Sequence, residues 1–149
     1  MSKRTKVIIN KLPTGVPGLD KILGGGLPEF SFNIIAGTPG CGKSTLAHQI
    51  AFANATAERP ALYFTILGEP TLKMLRYQQQ YDFYDEGKMG TAIRFINLSE
   101  EVLRGDWNEV LDTIVAEVEK TSPAIVIVDS FRSMARKFNH PTGATEIQD

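Results

Sequence analysis

Gly37-Thr38-Pro39-Gly40-Cys41-Gly42-Lys43-Ser44-Thr45 is the stretch on which the reading of this chain turns. Gly37, Gly42, Lys43 and Ser44 stand at the spacing of a phosphate-binding P-loop. Each residue type has a physical reason. Glycines let the backbone curl until successive N–H groups point into one hollow, and a hollow that opens onto a helix N-terminus is a ready anion site. A lysine at position 43 reaches the β- and γ-phosphates of a nucleotide, and a serine hydroxyl at position 44 ligates Mg²⁺. The flanks agree. Phe32 to Ala36 is apolar and reads as a buried strand. Leu46 to Ala57 reads as a helix that starts from Lys43, with Leu46, Ile50 and Ala53 on one face.

Working outward, the next signal lies far downstream. Ala124-Ile125-Val126-Ile127-Val128 is an unbroken apolar run closed by Asp129. Such a run suits a central parallel strand buried on both faces. An acid at its end, facing a P-loop, holds Mg²⁺ directly or through water, which is the Walker B pattern. Between the two motifs, Ala61 to Ile66 and Ile93 to Asn97 read as further strands, each β-rich and bounded by turn residues. Glu69 follows the end of the first of these. In open parallel sheets ligands bind outside the carboxyl ends of the strands, so the P-loop and Glu69 point to the same rim. A carboxylate there orients and deprotonates an attacking water; the alternative is a plain helix-start carboxylate ahead of Pro70.

Other segments read as scaffold. Asp106 and Glu109 form a capping-box variant. Trp107, Val110, Leu111, Ile114, Val115 and Val118 then follow at helical spacing, until Pro123. Tyr77, Tyr81, Phe83 and Tyr84 form an aromatic cluster, read as a helix packed against the sheet, with an exposed protein-contact patch or a base-stacking surface as the alternatives. Asp85 to Lys88 is a turn. Phe131 to Phe138 reads as a short helix exposing Arg132, Arg136 and Lys137, either as a solvated basic face or as a contact with a neighbouring subunit. His48 and His140 lack metal-ligand spacing and read as structural or solvent-facing. At the start, Val7-Ile8-Ile9 reads as a short edge strand. Leu19, Ile22 and Leu23 have helical spacing before Gly24-Gly25-Gly26. That helix either covers the sheet or frames a nucleotide pocket or subunit contact.

Composition bounds the function. The chain has 149 residues, a one-domain length, and 42% hydrophobic residues, enough for a core. Its 16 basic and 17 acidic residues lack the basic excess of a general nucleic-acid binder, so nucleic acid is not an expected partner. The lone cysteine, Cys41, makes no internal disulfide and fits a reducing, cytoplasmic compartment. No apolar run approaches the ~18 residues of a membrane span, so no membrane partner is expected. Met1 to Asn10 is basic without the apolar centre of a signal peptide.

Thr14-Gly15 followed by Leu19-Asp20 and Leu23-Gly24-Gly25-Gly26-Leu27, with a P-loop about ten residues on, resembles the RecA/KaiC superfamily of ATPases. The loop GTPGCGKST and the later Leu67-Gly68-Glu69-Pro70 look most like KaiC-like proteins. The resemblance runs from Thr14 to Asp149, with residues 1–13 as a lead-in. It implies an α/β P-loop NTPase with a RecA-like, mostly parallel sheet and helices on both faces. It implies ATP bound through Thr38, Pro39, Gly40, Cys41, Gly42, Lys43, Ser44 and Thr45. It further implies Mg²⁺ at Ser44 and Asp129, with Lys43 and Glu69 as the catalytic pair. KaiC-like proteins usually carry two adjacent acids at the Glu69 position, and this chain offers Glu69 alone. The superfamily also implies a homo-oligomeric ring, a hexamer in the complete protein. In such ATPases further strands follow Walker B, one of them between the Walker B and P-loop strands. The resemblance therefore implies an incomplete domain, residues 1–149 being its N-terminal part. Two other readings stay open: a DNA-repair ATPase of the RecA or RadA type, and a nucleotide-gated assembly module with little turnover.

Overall fold

Ala61-Leu62-Tyr63-Phe64-Thr65 is apolar on both of its alternating faces, and both faces are covered. The protein is described by a computed structural model over residues 6–66 and 71–130. In chain order come β1 (Lys11–Leu12), α1 (Pro17–Ile22), β2 (Leu27–Pro28), α2 (Lys43–Asn54), β3 (Ala61–Thr65) and α3 (Thr71–Gln78). A 3₁₀ turn at Glu86–Lys88, β4 (Ile93–Asn97), α4 (Ser99–Arg104), α5 (Trp107–Thr121) and β5 (Ile125–Asp129) follow. Glu69, Pro70, the helix expected over 131–138 and His140 lie outside the described residues.

The main sheet is parallel, in the order β4-β3-β5. Parallel neighbours need crossovers, which α3 supplies between β3 and β4, and α4 with α5 between β4 and β5. Alternation along β3 divides the core. Leu62 and Phe64 join Ile66, Leu98, Val102 and Val110, with Trp107, Ile114 and Val118 of α5 packed over them. On the opposite face Ala61 joins Ala51, Phe52 and Ala55 from the α2 side, with Phe95, Ile125 and Ile127 beside them. Burying a large apolar side chain contributes about 1.5–3 kcal/mol, so these two layers hold the sheet between its helices. The parallel α/β sheet with helices on both faces, expected from the sequence, is present.

Several local expectations are corrected. Among the described residues the strand before Asp129, β5, is paired on one side only, with β3, and Val126 is 39% exposed. β3 takes the buried central place, with Leu62, Tyr63 and Phe64 fully covered. Phe32 to Ala36 forms no strand, and Phe32 and Ile34 are 90% and 78% exposed. An extended segment becomes a strand only by pairing its backbone groups, and among the described residues none stands next to it. Val7-Ile8-Ile9 is exposed for the same reason. Pairing begins two residues later, where β1 runs antiparallel to β2.

The segment before the P-loop is tied to α2 instead of covering the sheet. Gln49 Nε2 donates to the Gly15 carbonyl at 2.8 Å and Asn54 Nδ2 to the Pro13 carbonyl at 2.7 Å. The fully buried Thr14 donates its amide and its hydroxyl to Asp20 Oδ1, each at 2.7 Å. Those bonds, the hydroxyl foremost, hold the Asp20 carboxyl below its ordinary pKa. α2 ends at Asn54, short of Ala57. Its buried face is Ala47, His48, Ile50, Ala51 and Phe52, whereas Ala53 is exposed.

α5 starts where expected, with Asp106 Oδ1 accepting from the Asn108 amide at 2.8 Å. Glu109 does not close a capping box; its carboxylate takes the Arg104 guanidinium instead. Leu111 and Val115 are about half exposed, so the apolar stripe of this helix is wider than the face it buries. Of the aromatic cluster, Phe83 and Tyr84 pack on Phe52 and Tyr81 stacks on Phe83, while Tyr77 is 60% exposed.

Candidate nucleotide and magnesium site

The phosphate loop is built by its glycines. Gly42 caps α2 in the left-handed region (φ 92°), a conformation a side chain strains to adopt. A Cβ on Gly37 would stand 2.5 Å from Cys41 Sγ, so any larger residue there requires the Cys41 side chain to move. No side chain caps the N-terminus of α2. A helix N-terminus without a side-chain cap is the arrangement at which an anion binds. Residues 37–42 are exposed. Lys43 Nζ lies back across the loop, donating to the carbonyls of Thr38 at 2.7 Å and Gly37 at 3.1 Å, and standing 3.8 Å from Cys41 Sγ. A cleft along α3, lined by Lys73, Leu75, Arg76, Gln79 and Tyr84 among others, does not include the loop.

The two oxygen donors expected at opposite ends of the chain meet. Ser44 Oγ, in the first turn of α2, donates to Asp129 Oδ2 at 2.6 Å across 85 residues of sequence. Asp129 stands at the C-terminal end of β5, in register with Thr65 at the end of β3. The Ile66 amide donates to the Asp129 carbonyl at 3.2 Å and the Leu98 amide to the Thr65 carbonyl at 2.8 Å. The ends of the three parallel strands thus gather beside the start of α2, as the sheet rule requires. Glu69, expected at the same rim, lies outside the described residues.

Two neighbours carry no sequence expectation of a place at this site. Tyr63, fully buried in β3, donates its hydroxyl to the same Asp129 Oδ2 at 2.7 Å. Burial, followed by the nearby Asp129 carboxylate, pushes the phenol pKa well above its ordinary value, so the hydroxyl stays a donor. His48, 1% exposed, stacks on the Tyr63 ring with centroids 4.4 Å apart and meets Phe95 edge-on at 5.7 Å. The signal for Tyr63 was legible: it is the one phenol in an otherwise apolar central strand, two residues before the strand ends. The signal for His48 was its place one helical turn after Ser44, on the buried side of α2.

His48 reads as structural, and its environment agrees. Among the described residues neither ring nitrogen has a hydrogen-bond partner, and Gln78 Oε1 is likewise buried without one. Burial lowers the His48 pKa from 6.5 to about 4, against the opposing pull of Asp129 and of Gln78, which influences the ring without reaching hydrogen-bond geometry. The ring is therefore neutral at pH 7. The depressed native value means that the unfolded chain binds the proton first. Stability is complete above the unfolded value of 6.5 and falls as the pH drops toward about 4. Between pH 7 and pH 5 the loss is about 2 kcal/mol. Urea unfolding at the two pH values measures it, and His48→Leu is expected to remove most of the difference.

Among the described residues there is no group of three or more His, Cys, Asp and Glu side chains that would enclose a metal ion. Ser44 and Asp129 offer a hydroxyl and a carboxylate oxygen in contact. That is a hard, oxygen-only and incomplete donor set. It fits Mg²⁺, which takes one or two protein oxygens and fills its remaining positions with water and substrate phosphates.

A parallel α/β sheet whose strand ends meet a glycine-rich loop, its lysine and a serine–aspartate pair defines the class of P-loop nucleotide-binding proteins. A family model described as "ATPase: KaiC" matches residues 12–146, and the chain belongs to that family of RecA-superfamily ATPases. The chain is also similar to a DNA repair protein RadA of Mycobacterium tuberculosis, 37% identical over 83% of this chain and 23% of the relative. A DNA repair protein RadA of Pseudomonas aeruginosa is 32% identical over 97% of this chain and 29% of the relative. A UPF0273 protein of Thermotoga maritima is 27% identical over 85% of this chain and 58% of the relative. The chain thus spans between about a quarter and three-fifths of the length of these relatives. The expectation that nucleic acid is not a partner gains no support from them, since two carry DNA repair in their names. No helix among the described residues is long and apolar enough to cross a membrane.

Proposed function

We propose that this chain binds Mg·ATP at the rim formed by the P-loop and Asp129, and that it hydrolyses the bond between the β- and γ-phosphates. The observation that carries the reading is the 2.6 Å bond between Ser44 Oγ and Asp129 Oδ2. The segment Thr38, Pro39, Gly40, Cys41, Gly42, Lys43, Ser44 and Thr45 wraps the phosphates through its amides. Lys43 exchanges the Gly37 and Thr38 carbonyls for phosphate oxygens and stabilises negative charge on the γ-phosphoryl group. Ser44 and Asp129 would hold the magnesium ion, which when bound supplies charge neutralisation at the β- and γ-oxygens. Glu69 orients the attacking water and accepts its proton. The new bond joins the water oxygen to the γ-phosphorus, the bond to the β–γ bridging oxygen breaks, and ADP leaves with inorganic phosphate.

Residues 14–149 belong in this reading to one ATPase core with residues 1–13 leading into it. The exposed apolar side chains of Phe32 and Ile34 and the half-paired β5 support further strands completing the sheet between them. A cytoplasmic homo-oligomeric ring, hexameric in the complete protein, fits the family. The RadA relatives favour a second reading, an ATPase acting with DNA. Phosphate release from ATP, measured with Mg²⁺ and with or without single-stranded DNA, tests both. Mg²⁺-dependent release is expected. Stimulation by the strand supports the DNA reading, and no release with Mg²⁺ present overturns hydrolysis.

A further inference from the structure

We propose that Tyr63 is a positioning residue for magnesium, its hydroxyl fixing the Asp129 carboxylate in the orientation in which that carboxylate holds the ion. The inference rests on the assignment of Asp129 and Ser44 to the metal. Its starting point is that two hydroxyls end on one oxygen. Asp129 Oδ2 accepts from Ser44 Oγ at 2.6 Å and from Tyr63 Oη at 2.7 Å. Ser44 is the P-loop residue whose hydroxyl turns to the metal. Of the two bonds, only the one from Tyr63 is then available to keep the carboxylate in place.

The strand pairing explains how a core residue reaches the rim. Tyr63 is in register with Ile127, and Asp129 lies two residues further along β5, on the same face as Ile127. A diagonal neighbour of this kind is within the reach of a long aromatic side chain. The ring is held on that line by its neighbours. His48 stacks on it at 4.4 Å, and Phe95 packs against it at 5.1 Å with a tilt of 42°. His48, Phe95 and Tyr63 are thus a rigid aromatic wedge between α2 and the sheet. Apolar packing alone does not require the hydroxyl: phenylalanine has nearly the same volume. A buried hydroxyl costs stability unless it is hydrogen-bonded, and this one is bonded to the carboxylate.

The test is Tyr63→Phe, read as the Mg²⁺ concentration that half-saturates binding of a fluorescent ATP analogue to the 149-residue chain. That concentration is expected to rise about tenfold, the loss of one hydrogen bond to a charged group. Nucleotide affinity in EDTA is expected to stay within about twofold of the parent. A purely structural tyrosine would instead lower the melting temperature and change binding in EDTA and in Mg²⁺ alike. In an Asp129→Asn background, Tyr63→Phe is expected to leave the Mg²⁺ requirement unchanged, because the carboxylate it acts through is gone. Asp129→Asn with a raised Mg²⁺ requirement but Tyr63→Phe with none overturns the Tyr63 proposal alone. If Asp129→Asn leaves the Mg²⁺ requirement as it was, the metal assignment and the Tyr63 proposal both fall.

Discussion

Replacing Lys43 by alanine is expected to weaken ATP binding roughly 30- to 150-fold, the effect of removing about 2–3 kcal/mol of charge-assisted hydrogen bonding to phosphate. The fold of the variant is expected to stay intact. Among the described residues Lys43 Nζ bonds exposed loop groups, the carbonyls of Gly37 and Thr38 and the Cys41 sulfur, and none of them belongs to either core layer. Those carbonyls turn to water when the amine is gone. Equilibrium binding of a fluorescent nucleotide, with circular dichroism as the control for folding, reads the two effects separately. Tight ATP binding in Lys43→Ala would remove the loop from the site.

Glu69→Gln is expected to bind ATP within about twofold of the parent while phosphate release falls roughly 10²- to 10⁴-fold, the range that general acid–base groups contribute. The carboxamide keeps the shape and the hydrogen-bonding capacity of the side chain but does not accept the proton of the attacking water. Glu69 stands three residues after Ile66, whose amide is bonded to the Asp129 carbonyl. Ile66 is the last described residue before Glu69. Unchanged turnover would return Glu69 to the simpler role of a carboxylate at a helix start ahead of Pro70.

The parts of this molecule that were legible in the sequence are those governed by local rules. The spacing of Gly37, Gly42, Lys43 and Ser44 announces the loop, and the helix after it begins at Lys43. The β-rich runs at 61–65 and 93–97 are strands, and the periodic stretch from Trp107 is the longest helix described. The errors concern pairing, which is not local. Apolar sequence told equally of Phe32 to Ala36 and of Ile125 to Val128, yet one is unpaired and the other is a strand. The difference is that β3 stands beside the second and no described strand stands beside the first. Among the described residues β3, not β5, is the strand paired on both sides, and no local signal distinguishes the two. Glu109 illustrates a smaller competition: the capping role and the Arg104 guanidinium both wanted its carboxylate, and the guanidinium took it.

At the site, Lys43, Ser44 and Asp129 were readable because each is marked by a motif. Tyr63 and His48 carry no motif and are marked in the sequence only by position, because a residue that acts through another leaves no spacing rule of its own. Their contribution became visible only when β3 was laid beside β5 and α2 was laid over both. The His48 ring nitrogens and Gln78 Oε1, buried without a hydrogen-bond partner among the described residues, are the clearest local conflict in an otherwise consistent core.

Calorimetric titration of ATP into the 149-residue chain, once with Mg²⁺ in excess and once with EDTA, tests the central claim most directly. The account predicts one nucleotide bound per chain, with affinity that falls when the metal is chelated and whose Mg²⁺-dependent part disappears in Asp129→Asn. Failure to bind ATP, or binding that is indifferent both to Mg²⁺ and to Asp129, would contradict it.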